Sequence, residues 1–219
     1  MESTVPAVYL VDDDHSVLRA LTRLLSGFDF DVFAHGTAES FLDEHDEERC
    51  GCVVLDLLMP GMDGLHLQSR LADCRRPIIF LSGHGDLSSG VHAMKAGAID
   101  FLTKPVLQED LLAAIARGIS ADREGRAGRA EQEMLSERLA RLTPRERQVF
   151  DLVAAGRLNK QVAAELGTAE KTVKVHRARV MEKLGARSVV DLARIADRTC
   201  SQPVGGAALR LKPAEPHPH

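Results

Sequence analysis

The chain has 219 residues, 44% hydrophobic and 27% charged, with a net charge of -4 at pH 7. These are the proportions of an ordinary globular protein and exclude low-complexity and collagen-like classes. No apolar run reaches the roughly 18 residues that a membrane-crossing helix needs, and the start, "MESTVPAVYLVDDD", has no basic signal-peptide region, so a cytoplasmic location without membrane contact is expected.

In chain order, "AVYLVDDD" (7–14) is a short apolar run ending in acids, and "SVLRALTRLLSGF" (16–28) follows with apolar residues at helical spacing. The pattern repeats as "DVFAHG" then "TAESFLDEH", "CVVLD" then "LHLQSRLAD", "PIIFLSG" then "DLSSGVHAMKAG", and "IDFLTKP" then "LQEDLLAAIARGI". Alternating short strands and amphipathic helices predict an α/β fold, a doubly wound five-stranded parallel sheet with helices on both faces, over residues 1–120. Ligands of such sheets sit beyond the carboxyl ends of the strands, where the strand order reverses. Asp12 and Asp13 end the first strand, Asp56 the third, Ser82 the fourth and Lys104 the fifth, so the fold is expected to gather them on one rim.

A carboxylate at a strand end is often just a helix cap, and Asp14, before "HSVLRAL", fits that role. Asp12, Asp13 and Asp56 together do not, because three crowded acids repel one another unless a cation is present. A hard divalent ion, Mg²⁺ or alternatively Mn²⁺, suits oxygen ligands and leaves Asp56 available as a carboxylate nucleophile for a phosphoryl group. The four cysteines form no CxxC pair and have no histidine at zinc-ligand spacing, so free thiols are expected.

"LVDDD", "VLDLLMPGMDG", "FLSGHGD" and "AMKAGAIDFLTKP", in that order, resemble the receiver domains of two-component response regulators, the CheY-like fold. The resemblance implies Asp56 as phosphoacceptor and Asp12, Asp13, Asp56 and the backbone carbonyl of Leu58 as Mg²⁺ ligands. It further implies Ser82 as the switch hydroxyl, Phe101 as the switch aromatic, Lys104 as the partner of the phosphoryl group, and a cis peptide between Lys104 and Pro105. Leu58 and His84 stand where the family tunes phosphate lifetime. Met59, Pro60, Gly61 and Gly64 read as backbone devices that hold the loop beside the acceptor.

Residues 121–141, rich in charge and small residues, read as a linker; Leu135, Leu139 and Leu142 favour a helical second half, an extended helix and a loose tether both stay open, and Gly125 and Gly128 weigh slightly against one unbroken helix. The charge changes sign along the chain. Residues 1–120 hold 9 Lys/Arg against 19 Asp/Glu, and residues 137–200 hold 14 against 8. Over 142–200 the sequence reads as four short helices: Thr143, Pro144 and Glu146 open the first, Asn159 and Thr168 are expected to cap the second and third, and Ser188 with Asp191 boxes the fourth. The glycine-joined second and third helices suggest a helix-turn-helix, with Val173, Val180 and Leu184 facing the core and a basic face opposite. Residues 201–219, rich in Pro, Gly and Ala, read as a disordered tail.

"LTPRERQVF", "NKQVAAELG" and "KTVKVHRARVMEKLG" resemble the LuxR-type helix-turn-helix of the NarL and FixJ response regulators, closest to the FixJ group. By that resemblance Lys174 and Val175 reach base edges. Lys160, Lys171, Thr172, His176, Arg177 and Arg179 are candidates for other contacts with duplex DNA. Ala178 departs from relatives that carry a polar residue there. The implied partners are a sensor histidine kinase, promoter DNA, a second copy of the chain on phosphorylation, and RNA polymerase.

Two other readings fit parts of the sequence. A phosphatase or phosphotransferase of the haloacid dehalogenase type also forms an aspartyl phosphate, but it needs a second acid where this chain has Leu58, so the chain is not expected to be an enzyme beyond accepting, and losing, its own phosphoryl group. The other is an RNA-binding or purely protein-interaction output; the helix-turn-helix pattern, with one tyrosine and no tryptophan to offer stacking faces, disfavours RNA.

Overall fold

The computed structural model describes residues 5–72, 74–83 and 87–200; His84 and the tail expected over 201–219 lie outside them. The chain divides into two compact units with a boundary between Arg129 and Ala130.

In the first unit five strands, β1 (Ala7–Val11), β2 (Asp31–His35), β3 (Gly51–Asp56), β4 (Ile78–Ser82) and β5 (Asp100–Thr103), pair in parallel in the order β2-β1-β3-β4-β5. Helices α1 (His15–Leu25), α2 (Ala38–Glu44), α3 (Gly64–Arg70), α4 (Leu87–Lys95) and α5 (Gln108–Ala140) alternate with them. The two-residue period of the strands sorts their side chains onto two cores. Tyr9, Val11, Val53, Leu55, Ile78 and Phe80 pack with Phe41 of α2 and Leu67 of α3. Val8, Leu10, Cys52, Val54, Ile79 and Leu81 pack with Leu18, Leu21 and Leu25 of α1 and Leu111, Ala114 and Ile115 of α5. Burial on both faces explains why β1, β3 and β4 read as continuous apolar runs.

The sequence leaves a helical linker and a loose tether both open, with the glycines weighing slightly against one unbroken helix; in the structure α5 runs unbroken from Gln108 to Ala140 through both Gly125 and Gly128. Two interior glycines cost about 1 kcal/mol each relative to alanine, and tertiary anchors outweigh them. Asp122, 3% exposed, accepts from the backbone N–H of Gly51 at 2.9 Å and from Arg126 Nε at 2.8 Å. Arg126 also donates to the carbonyls of Glu47, Glu48 and Arg49. Beyond the boundary, Leu135 and Leu139 are buried in the core of the second unit.

The second unit adds α6 (Pro144–Ala154), α7 (Asn159–Glu165), α8 (Glu170–Leu184) and α9 (Val189–Cys200) around Phe150, Val162, Val173, Val180, Leu184 and Leu192. Thr143 and Glu146 form the expected capping box of α6, and Ser188 and Asp191 exchange backbone bonds at the start of α9. Two expected caps are corrected. Leu158 and Ala169, neither with a side-chain cap bond, stand at the N-caps of α7 and α8. Asn159 is instead the first residue of α7, and its Oδ1 accepts from Arg177 of α8 at 3.1 Å.

Candidate functional site

The strand order reverses between β1 and β3, and the acids meet beyond the carboxyl ends of those strands. Register places Val11 of β1 beside Leu55 of β3, so Asp12 and Asp56 follow on the same rim. Asp12, Asp13 and Asp56 each bring a carboxylate oxygen to within 4.8 Å of the others. Asp12 and Asp56 are buried, at 4% and 7% exposure, while Asp13 faces solvent.

Lys104 closes the arrangement. Its Nζ donates to Asp12 Oδ2 at 2.6 Å and to Asp56 Oδ1 at 2.8 Å. Its backbone N–H donates to the carbonyl of Ser82 at 2.8 Å, and the Lys104–Pro105 peptide is cis, as expected. The backbone N–H of Leu58 donates to Asp56 Oδ2 at 3.1 Å, and that of Asp14 donates to Asp12 Oδ1 at 2.9 Å. Burial pushes the Asp56 carboxyl above its ordinary value, and Asp12 adds to the shift although Lys104 opposes it. Burial also works against the Lys104 charge, but its bonds to Asp12 and Asp56 prevail and hold the ammonium above its ordinary range.

The flanking positions follow the same logic. Ser82, 1% exposed, ends β4 beside β3. A Cβ on Gly83 would come no nearer than 4.0 Å to the Lys104 side chain, so the residue after Ser82 adds no bulk against it. Gly64 is required by close approach, since a Cβ there would lie 2.4 Å from the carbonyl oxygen of Asp56. Phe101 is half-buried, 6.2 Å from Phe80 and facing Gly90 of α4. The Leu58 side chain projects into solvent, where the enzyme reading would need an acid. Asp14 caps α1 through Ser16.

In the second unit α7, a turn at Gly167 with φ +61° and α8 form the helix-turn-helix. Val173, Val180 and Leu184 are buried, as their spacing predicts. Lys171, Thr172, Lys174, Val175, Ala178 and Arg179 are exposed on α8, and Lys160 on α7. His176 and Arg177 are half-buried. Arg177, bonded to Asn159, ties the two helices together, a role that a contact across 18 residues hid from sequence reading. Lys174 pairs with Glu170 one turn earlier at 3.2 Å.

Residues 8–116 match the family described as response regulator receiver domain. Residues 140–196 match the family described as bacterial regulatory proteins, luxR family. The chain is similar to nodulation protein W of Bradyrhizobium diazoefficiens, 44% identical over 197 residues that cover 89% of this chain and 87% of the relative. It is also similar to response regulator protein TodT of Pseudomonas putida, 41% identical with coverage of 90% and 88%. Among solved structures, response regulator StyR superimposes with a TM-score of 0.80 at 44% identity, covering 89% of this chain and all of that one.

Proposed function

The chain belongs to the NarL/FixJ family of response regulators, with a receiver domain and a LuxR-type DNA-binding domain, and from this premise we propose that phosphorylation of Asp56 by a sensor histidine kinase controls its dimerisation and DNA binding. The observation that carries the proposal is the bridge from Lys104 to Asp12 and Asp56 with Asp13 alongside. Three acids and one lysine leave uncompensated negative charge and a carboxylate whose burial already disfavours its anion. That donor set, all hard oxygens, fits Mg²⁺ held by Asp12, Asp13, Asp56 and the carbonyl of Leu58. Bound there, the ion would neutralise charge on a transferring phosphoryl group.

In the reaction an Asp56 carboxylate oxygen attacks the phosphorus of a phosphohistidine. A P–O bond forms, the P–N bond breaks, and the nitrogen leaves with its electron pair. Lys104, already within hydrogen-bond reach of Asp56, swings its charge onto the new phosphoryl oxygens. Ser82 moves toward the same group, and the Phe101 ring, now against Gly90, repacks into the space the hydroxyl leaves. Lacking a hydroxyl, Phe101 signals by burial alone. Hydrolysis of the acyl phosphate by water resets the switch.

For the output, α8 enters the major groove with Lys174 offering donors to guanine and Val175 packing on a thymine methyl. Ala178 adds an apolar contact. Lys160, Lys171, Thr172, His176, Arg177 and Arg179 serve backbone phosphates or support the helix. Two copies read a two-part site in a cytoplasmic promoter and engage RNA polymerase. The test is sedimentation of wild type and Asp56→Ala in Mg²⁺ with and without beryllofluoride, an acyl-phosphate mimic. A dimer in wild type plus mimic alone supports the switch. An unchanged oligomeric state, together with DNA affinity unmoved by the mimic, rejects it.

A further inference from the structure

At the opposite end of the sheet from Asp56, two connections converge that no step of the phosphorylation chemistry uses. His45 and Glu47 lie between α2 and β3, and Cys74 lies between α3 and β4, so both segments lead into the amino ends of strands whose carboxyl ends carry Asp56 and Ser82. A nitrogen of His45, a carboxylate oxygen of Glu47 and the sulfur of Cys74 all fall within 4.8 Å of one another. We propose that this cluster is a binding site for a zinc-type divalent cation, with three protein ligands and one position open to water.

His45 is set up as a ligand. Its side chain is 5% exposed and its ring stacks on Phe41 at 4.6 Å. Nδ1 lies 3.1 Å from the carbonyl oxygen of Phe41 and 3.2 Å from that of Leu42, so Nδ1 carries a proton, and in the neutral ring the lone pair is on Nε2. That is the arrangement by which a backbone carbonyl fixes a metal-binding imidazole. Nε2 is buried without a hydrogen-bond partner and points to Glu47 Oε1 at 3.7 Å.

The spacing matches the ion. Cys74 Sγ donates to Glu47 Oε1 at 3.3 Å. A tetrahedral zinc with ligand bonds of about 2.0–2.3 Å sets its ligand atoms roughly 3.3–3.8 Å apart. Two of the three edges are therefore formed, and the third needs only a small side-chain adjustment. The mixed N, O and S set selects against Mg²⁺ and Ca²⁺, which take oxygen ligands, and for zinc and its neighbours. Binding replaces the thiol proton, which leaves to solvent. Glu47 is exposed and Cys74 half-exposed, giving the ion a path in. The nearby guanidinium of Arg76 is engaged with the carbonyls of Asp46 and Arg49. His45 and Cys74 are too far apart in sequence for ligand spacing to reveal them.

Cobalt(II), a spectroscopic substitute for zinc, provides the test. The chelator-treated full-length protein is titrated with Co²⁺ in excess Mg²⁺, which occupies the acidic rim. The expected result is one equivalent bound, with near-ultraviolet thiolate-to-cobalt absorption that Zn²⁺ abolishes. Cys74→Ser and His45→Gln remove that absorption, and Glu47→Gln, at an exposed position that leaves the fold intact, weakens binding at least tenfold. Absence of the band in wild type overturns the proposal. So does a band that survives in Cys74→Ser, which would assign the metal to another thiol.

Discussion

The Asp56 carboxylate sits where burial disfavours its charge, and this has a measurable sign. Its folded-state value lies above the ordinary 3.8 of an aspartate. Stability is therefore lost as pH rises from the unfolded value through the folded one, and the penalty is fully present above the folded value. Without divalent cations, Asp56→Asn should melt above wild type at pH 7, and the gap should close in acid. With Mg²⁺ at ten times its Kd, wild type should gain about 1.4 kcal/mol and the variant far less; equal gains would place the ion elsewhere. Glu146 presents the opposite case. Its bond from Lys183 at 2.6 Å and that from the Thr143 N–H hold it down at about 2. Its contribution is present above the ordinary 4.5 and fades as pH falls toward 2. Glu146→Gln should lower stability by about 2 kcal/mol at pH 7, and urea titrations at pH 7 and pH 3 should show the difference shrinking. The acids and lysine of the rim were legible because each ends an apolar strand, where a charge stands out. The Asn159–Arg177 bond and the approach of His45 to Cys74 were not, since they depend on distant segments meeting.

Among the elements, strands and most helices follow from periodicity, because burial on one face or two imposes it on the residues. The linker stayed open between helix and tether for a definite reason. Glycine propensity is a local cost, whereas the anchors that outweigh it, Asp122 on Gly51 and Arg126 on the 47–49 carbonyls, join residues more than 70 positions apart. Gly128 tests the helix directly. It is exposed, and a Cβ there would meet nothing within 4 Å. Gly128→Ala should therefore stabilise the helix locally by about 0.5–1 kcal/mol. Amide exchange around residues 124–132 should slow a few-fold. Unchanged exchange would mean that this stretch is not helical in solution.

At the scale of the whole molecule the two units carry opposite charge, acidic over 1–120 and basic over 137–200. The sequence revealed this division and the two folds, since each unit has its own apolar periodicity and, in the structure, its own core. Charge also gives a way to count the DNA-bound copies. Each phosphate neutralised on duplex DNA contributes about -0.9 to the slope of log affinity against log salt. The exposed Lys160, Lys171, Lys174 and Arg179 belong to every copy of the output unit, so a second bound copy repeats whatever slope the first one gives. A fragment beginning at Ala130 contains the whole third core and should bind a half-site with one slope, indifferent to beryllofluoride. The full chain with beryllofluoride on a two-part site should show about twice that slope, because two recognition helices then release counterions together. Equal slopes would mean that the activated protein binds as a single copy, and control would then have to act within one chain rather than through pairing.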